Sequence, residues 1–436
     1  MRAGVIAALA TAMLATTAAA RMPVEERIQQ LEKALEEAQK EIKVLQEEIR
    51  QQKEAKPAAS AAEKPVDQAK AKDAKPSGLP VRASYGIGKG ITVETEDNRF
   101  KVSLYNRFQG RYTYTNEPEG EDESSFRVRR MKTTVEGHAF DPSLQFKFQA
   151  NWADPGPELE DAFLHWRPRP YAGIQGGQYK VPFDRQQLTS SGAQQFVDRS
   201  IASDYFTLAR DQGAMLTGSW FGEKHDLLEW NGGVYNGNGI NQSLNDGTGQ
   251  LWDGRLLFMP LGKFDYYVES DVADTPEPRF GVGVAGAYND EAEDTSDGAR
   301  IFGSNRLGSF FDPDQGPFDI GQATADVQFK WRGLSAVGDY FWAEVDPSSG
   351  VSRSGHGYNF QTGYFILPKK LEAAFRVSGV DADNEFDQRE IGGALGYFFL
   401  AHNLKIQADI RDIRNDPVDA SPDHTLEFRA QVQAIF

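Results

Sequence analysis

Six basic residues, Lys101, Arg107, Arg111, Arg130, Lys132 and Lys147, share one phase of three consecutive alternating segments. The other phase is apolar: Val102, Leu104, Phe108 and Tyr112, then Met131, Val135 and Ala139, then Leu144, Phe146, Phe148 and Trp152. In an extended chain, side chains two apart lie on the same face, so the six would line one wall, with Glu136 as the acid among them. The chemistry of such a wall is anion attraction, since a guanidinium can grip an oxyanion with two parallel hydrogen bonds and an ammonium acts as a point charge. Four further candidates follow, Lys180, Arg185, Arg199 and Arg210, interleaved with Asp184, Asp198, Asp204 and Asp211. That stretch is balanced in charge, so the wall and not the loop carries the basic excess.

Other chemistries find little footing. With no cysteine there can be no disulfide and no thiolate metal site, and the six histidines show no ligand spacing. No serine stands in a Gly-x-Ser-x-Gly setting, and no histidine has a recognisable catalytic partner. The sequence therefore predicts neither catalytic residues, metal nor cofactor, and no nucleic-acid partner.

The elements that position the basic residues are strands. The C-terminus alternates Phe428, Ala430, Val432, Ala434 and Phe436 with Arg429, Gln431 and Gln433, as a strand between lipid and water must. No run after the N-terminus is long and apolar enough for a membrane helix, and the mean hydropathy of −0.55 suits a barrel whose inner faces and loops are polar. Sixteen segments, from 99–114 to 424–436, are bounded by turn residues. A seventeenth, 263–271, is rejected because it would place the long 290–320 connection among the tight turns. Long connections then alternate with tight ones such as Asp141-Pro142, Gly333 and Pro368-Lys369. This predicts a 16-stranded antiparallel transmembrane β-barrel over 81–436, wide enough for an aqueous channel. Arg127 and Arg129 fall on the lipid phase, which predicts either headgroup depth or a bulge that shifts the phase. Trp152, Trp166, Trp220, Trp230, Trp331 and Trp342 lie near strand ends, as interfacial girdles would.

Three segments precede the barrel. Residues 1–20 have the charged start, apolar centre and Ala18-Ala19-Ala20 end of a secretory signal peptide. Residues 22–52 carry a heptad seam, Val24, Ile28, Leu31, Leu35, Ala38, Ile42, Leu45 and Ile49, predicting an α-helical coiled coil. Residues 53–80, rich in Lys, Ala and Pro, form a linker with nothing to pack. Together they place the coiled coil in the periplasm, within reach of peptidoglycan.

An ordered series of motifs resembles one family. Phe126-Arg-Val-Arg-Arg-Met-Lys-Thr-Thr-Val-Glu-Gly137, Gly177-Gln-Tyr-Lys-Val-Pro-Phe183, Leu188-Thr-Ser-Ser191, Phe196-Val-Asp-Arg-Ser200, Arg210-Asp-Gln-Gly213 and Tyr235-Asn-Gly-Asn-Gly-Ile240 resemble the phosphate-selective porin O and P family over roughly 99–436. The resemblance implies a trimeric channel in the bacterial outer membrane, surrounded by its lipid. It also implies an inward-folded loop near 182–210, with Lys and Arg guiding small anions, phosphate or polyphosphate. The Ile and Leu seam leans instead towards a dimer, and the sequence leaves that open. Two other functions fit the same chain: a general diffusion porin, in which acids and bases face each other across the pore, and an envelope tether gripping the cell wall.

Overall fold

The computed structural model describes residues 80–116, 120–153, 156–222, 226–242, 245, 248–292, 317–382, 386–417 and 421–436. The signal peptide, the coiled coil and nearly all of the linker lie outside them. The chain enters through a hairpin, β1 (Val81–Gly86) and β2 (Gly90–Thr95). The first half of the barrel then comprises β3 (Lys101–Asn116), β4 (Glu123–His138), β5 (Leu144–Asn151), β6 (Glu158–Arg169), β7 (Ala172–Lys180), β8 (Arg210–Trp220), β9 (Leu228–Tyr235) and β10 (Leu251–Phe258). The second half comprises β11 (Arg279–Ala292), β12 (Phe318–Trp331), β13 (Leu334–Pro347), β14 (Arg353–Leu367), β15 (Leu371–Ala382), β16 (Phe386–Leu400), β17 (Leu404–Pro417) and β18 (Asp423–Ile435).

Each strand from β3 to β18 pairs antiparallel with its successor, and β18 returns to β3, with Phe428 opposite Tyr114 and Ile435 opposite Arg107. The sixteen predicted segments are these sixteen strands, and 263–271 is not one of them. Closure joins the two ends of the sheet, so the backbone N–H and C=O groups of the shared ladder are partnered, as a wall facing hydrocarbon requires. The last residue seals the seam: Phe436 N donates to Asn106 O at 3.0 Å and Asn106 N to Phe436 O at 2.7 Å. β2 continues the same edge of β3 below that seam, Ile91 against Leu104 and Val93 against Val102. Its polar face, with Thr92, thereby extends the inner wall.

Alternation sets which side chains face outward. On β18, Arg429, Gln431 and Gln433 are buried inward while Phe428, Val432 and Phe436 are exposed outward. Trp152, Trp166, Trp220 and Trp331 are exposed near strand ends, Trp252 joins them, Trp342 is exposed farther inside β13, and Trp230 packs on Trp220. A charge on the outer face should therefore be destabilising. Ile410→Lys, at an exposed mid-strand position of β17, is expected to lower unfolding free energy in lipid vesicles by about 2–4 kcal/mol. Gln145→Lys, on the inner phase of β5, should change it by less than about 0.5 kcal/mol. Denaturant titration of both variants checks this.

Among the register shifts in the sheet, two place charged residues of the site. In β4 the register slips between Gln109↔Arg130 and Gly110↔Val128, leaving Arg129 as an extra residue. Beyond the slip Arg127 shares a face with inward Arg111, and Arg129 Nε lies 3.6 Å from Asp198. The bulge returns these two arginines to the inner phase. In β6 the slip between Gln149↔Asp161 and Ala150↔Leu159 makes Glu160 the extra residue, so Glu160 and its neighbour Asp161 both point inward.

The turns follow the predicted alternation. The β12–β13 connection is two residues, Arg332 at φ 49° and Gly333 at φ 78°, the left-handed pair that a tight hairpin needs. One connection on the tight-turn side is long. Residues 259–278, joining β10 to β11, fold up into the barrel instead of hanging below it.

Candidate permeation site

The connection from β7 to β8, residues 181–209, turns into the barrel and carries two short helices, α1 (Arg185–Leu188) and α2 (Ile201–Phe206). Local chemistry sets both starts. Asp184 caps α1 by accepting from Gln186 N at 2.9 Å and Gln187 N at 3.1 Å, and Ser200 caps α2 by accepting from Ser203 N at 3.2 Å.

One side of this loop is fastened to the far wall. Val197 N donates to Asp409 on β17 at 3.0 Å, Ile201 N to Glu390 on β16 at 3.0 Å, and Gln195 Nε2 to Glu372 on β15 at 2.5 Å. Phe206 stacks on Phe341 of β13, ring centres 5.7 Å apart. With Phe183, Phe318, Ile320, Val345 and Val380 they form a buried apolar core inside the barrel, where a porin lumen is ordinarily polar. From below, residues 259–278 brace the loop: Glu269 accepts from Gln186 Nε2 at 2.9 Å and Gln195 N at 2.8 Å. Arg185 ties the three parts, 3.0 Å from Asp339 and 3.5 Å from Glu269, all fully buried. The half of the bore along β10 to β18 is thereby filled.

The other half is open. Between the loop and the β3 to β9 wall lies a cavity of about 510 Å³, and beneath it a vestibule of about 620 Å³ whose lining includes Lys89 and Thr92 of the entering hairpin. Both are lined by Arg107, Lys147 and Phe163, so the two spaces adjoin. The upper cavity meets eight basic side chains, Arg107, Arg129, Arg130, Lys132, Lys147, Lys180, Arg199 and Arg210, against four acidic ones, Glu158, Glu160, Asp161 and Glu229.

The predicted residues divide into three groups. Lys101 lines the vestibule, and Arg107, Arg130, Lys132, Lys147, Lys180, Arg199 and Arg210 line the constriction. Several of these are paired: Lys132 with Glu160 at 2.5 Å, Lys147 with Asp161 at 2.9 Å, Arg210 with Asp161 at 2.7 Å, and Arg130 with Asp198 at 3.2 Å. Three are not ion-paired to any carboxylate among the described residues. Arg107 donates to Ser191 Oγ at 3.0 Å and keeps a buried Nε without a partner, Arg199 Nε donates to Gln186 O at 3.2 Å, and Lys180 Nζ to Gln187 O at 2.6 Å. Arg111 and Arg185 stand apart from both cavities. Arg111 bonds Asp198 at 3.0 Å and Val197 O at 3.0 Å, while Arg185 is locked in the triad above. Asp198 thus receives Arg111, Arg129 and Arg130 together; burial works against its charge, yet Arg130, Arg111 and Arg129 hold the carboxyl well below its usual range.

Alternation alone missed Arg129, Glu160 and Asp161. The available signal was steric and electrostatic. Two adjacent carboxylates in one membrane strand cannot both avoid lipid without a bulge, and the same holds for Arg129 beside Arg130.

A closed sixteen-stranded barrel with an inward loop and an aqueous, charged constriction defines an outer-membrane porin. The model of the family described as phosphate-selective porin O and P matches residues 102–433, and the chain belongs to that family. No curated protein matches the chain in sequence. Among solved structures, an anion-selective porin from Comamonas acidovorans is similar over 77% of this chain and 99% of its own, at 11% identity and a TM-score of 0.53. The outer membrane channel DcaP of Acinetobacter baumannii is similar over 78% and 99%, at 10% identity and a TM-score of 0.51. At such identities the likeness is one of fold. The family and the fold are those of a channel in the outer membrane, not of an enzyme.

Proposed function

We propose that the protein conducts small anions, with inorganic phosphate and short polyphosphates as its preferred solutes. The observation that carries this reading is the asymmetry of the constriction: eight basic against four acidic side chains, with Arg107, Lys180 and Arg199 ion-paired to no carboxylate among the described residues. In so narrow a space an anion sheds part of its screening, and attraction to a fixed cation is stronger than in bulk water. Several partly engaged cations in sequence, Lys101, then Arg107 and Lys147, then Lys180 and Arg199, offer the weak, multiple contacts that conduction requires. The acidic net charge of −17 does not oppose this, because the local field at the constriction governs selectivity.

The likeness to an anion-selective porin supports the same reading without deciding it. The assembly is proposed to be a trimer, after the family, with the predicted coiled coil of 22–52 on the periplasmic side. In planar bilayers under a potassium chloride gradient, the reversal potential should report anion preference, and added phosphate should reduce the chloride current. A cation-selective reversal potential, or chloride current indifferent to phosphate, would leave only a general diffusion pore.

A further inference from the structure

Glu160 occupies a place that regular alternation would have turned to lipid. As the extra residue of the β6 bulge it points inward at 5% exposure. Its oxygens take Lys132 Nζ at 2.5 and 2.6 Å, Gln149 Nε2 donates to one of them, and Arg210 approaches at 3.5 Å. Beside it Asp161 takes Arg210 at 2.7 Å and Lys147 at 2.9 Å. A carboxylate buried in the wall of an anion path repels the solute directly. It also withdraws Lys132 from reach, since an ammonium bonded to both oxygens of one carboxylate has little attraction left for a second anion.

We propose that Glu160 sets how tightly the constriction holds its anion, keeping Lys132 and part of Arg210 occupied so that the solute is engaged chiefly by the cations without a carboxylate partner among the described residues, Arg107, Lys180 and Arg199. This rests on the reading of the pore as an anion path and names the residue that tunes it. Flux through a narrow site needs binding strong enough to admit the ion and weak enough to release it. Freeing Lys132 and loosening Arg210, which keeps its pair with Asp161, would deepen the site and lengthen residence there. The bulge is what permits the arrangement, because it lets β6 present two consecutive carboxylates to the lumen without breaking the ladder on either side.

The test uses the full-length protein in planar bilayers, reading the concentration of inorganic phosphate that halves chloride current. Glu160→Gln keeps the shape and the hydrogen bond to Gln149 while removing the charge. It is expected to lower the half-blocking concentration by about fivefold or more and to reduce phosphate conductance at saturation. The double variant Lys132→Met with Glu160→Gln removes the pair together and should return to within about twofold of wild type. Lys132→Met alone, which leaves the carboxylate in place, should raise the half-blocking concentration, and it serves if Glu160→Gln does not assemble. An anion-selective wild type whose half-block is unmoved in Glu160→Gln, or in Lys132→Met, overturns the role of Glu160. A cation-selective wild type overturns the anion path itself, so the two failures are distinguishable.

Discussion

Arg107→Glu is expected to move the reversal potential in a potassium chloride gradient from the anion side towards the cation side. Arg107 lines both the vestibule and the constriction, and no carboxylate among the described residues is ion-paired with it. A solute passing either space therefore meets its full charge. At roughly 6 Å and an effective dielectric constant near 20, one unit of charge is worth about 3 kcal/mol, and less where water and salt intrude. Exchanging a positive for a negative charge should thus lower the anion-to-cation permeability ratio by about tenfold or more. Arg107→Gln separates charge from tethering. It loses the bond to Ser191 as well, yet should give an intermediate ratio; if Gln and Glu behave alike, the loss of the loop contact and not the field explains the change.

Phe206→Ala should raise single-channel conductance by about twofold and make the open current noisier. The side chain is fully buried, stacked on Phe341 and packed with Phe183, Phe318 and Ile320 in the apolar core that fixes the loop to the far wall. Truncating a buried phenylalanine costs about 3–5 kcal/mol and here removes the centre of the apolar contact between loop and wall. The polar fastenings at Asp409, Glu390 and Glu372 would then have to act alone in a lumen open to water. Conductance unchanged in Phe206→Ala would mean those bonds suffice and the core is packing without mechanical effect. Arg185→Met provides a second route to the same outcome, since it leaves Asp339 and Glu269 buried without their shared cation, and unpaired buried charges are strongly destabilising.

The barrel was legible because its strands are constrained by two solvents at once. Phe428 to Phe436, the basic phase of β3 to β5, and the tight turn at Gly333 each follow from a period-two rule that lipid enforces. Rejecting 263–271 as a strand also followed from topology. What the sequence did not yield was where that segment goes, because Glu269 earns its position from Gln186 and Gln195, far away in the chain. The same is true of the loop at 181–209: its charges balance, and only the folded arrangement separates Arg185, buried in a triad, from Arg199, which lines the open cavity. Arg111 shows the limit most plainly. Its phase was read as inward, yet an inward arginine can line a passage or lock a loop, and Asp198 decides which. The bulge at Arg129 was visible only as a violation of alternation, and the one at Glu160 was not read at all.

A hollow cylinder of sheet is easily squeezed into an ellipse by the membrane around it. Here a crossbeam joins opposite sides: Gln109 and Arg111 of β3 bond the inward loop at Ser191, Val197 and Asp198, and the same loop bears on β13 through Arg185 and Phe206. Lateral pressure on the rim is then borne in compression by a close-packed girder, which resists it as a protein interior does. The width of the gap beside that girder should hence be indifferent to stretching or thickening of the surrounding bilayer, so that what sieves solutes is insulated from the mechanical state of the envelope.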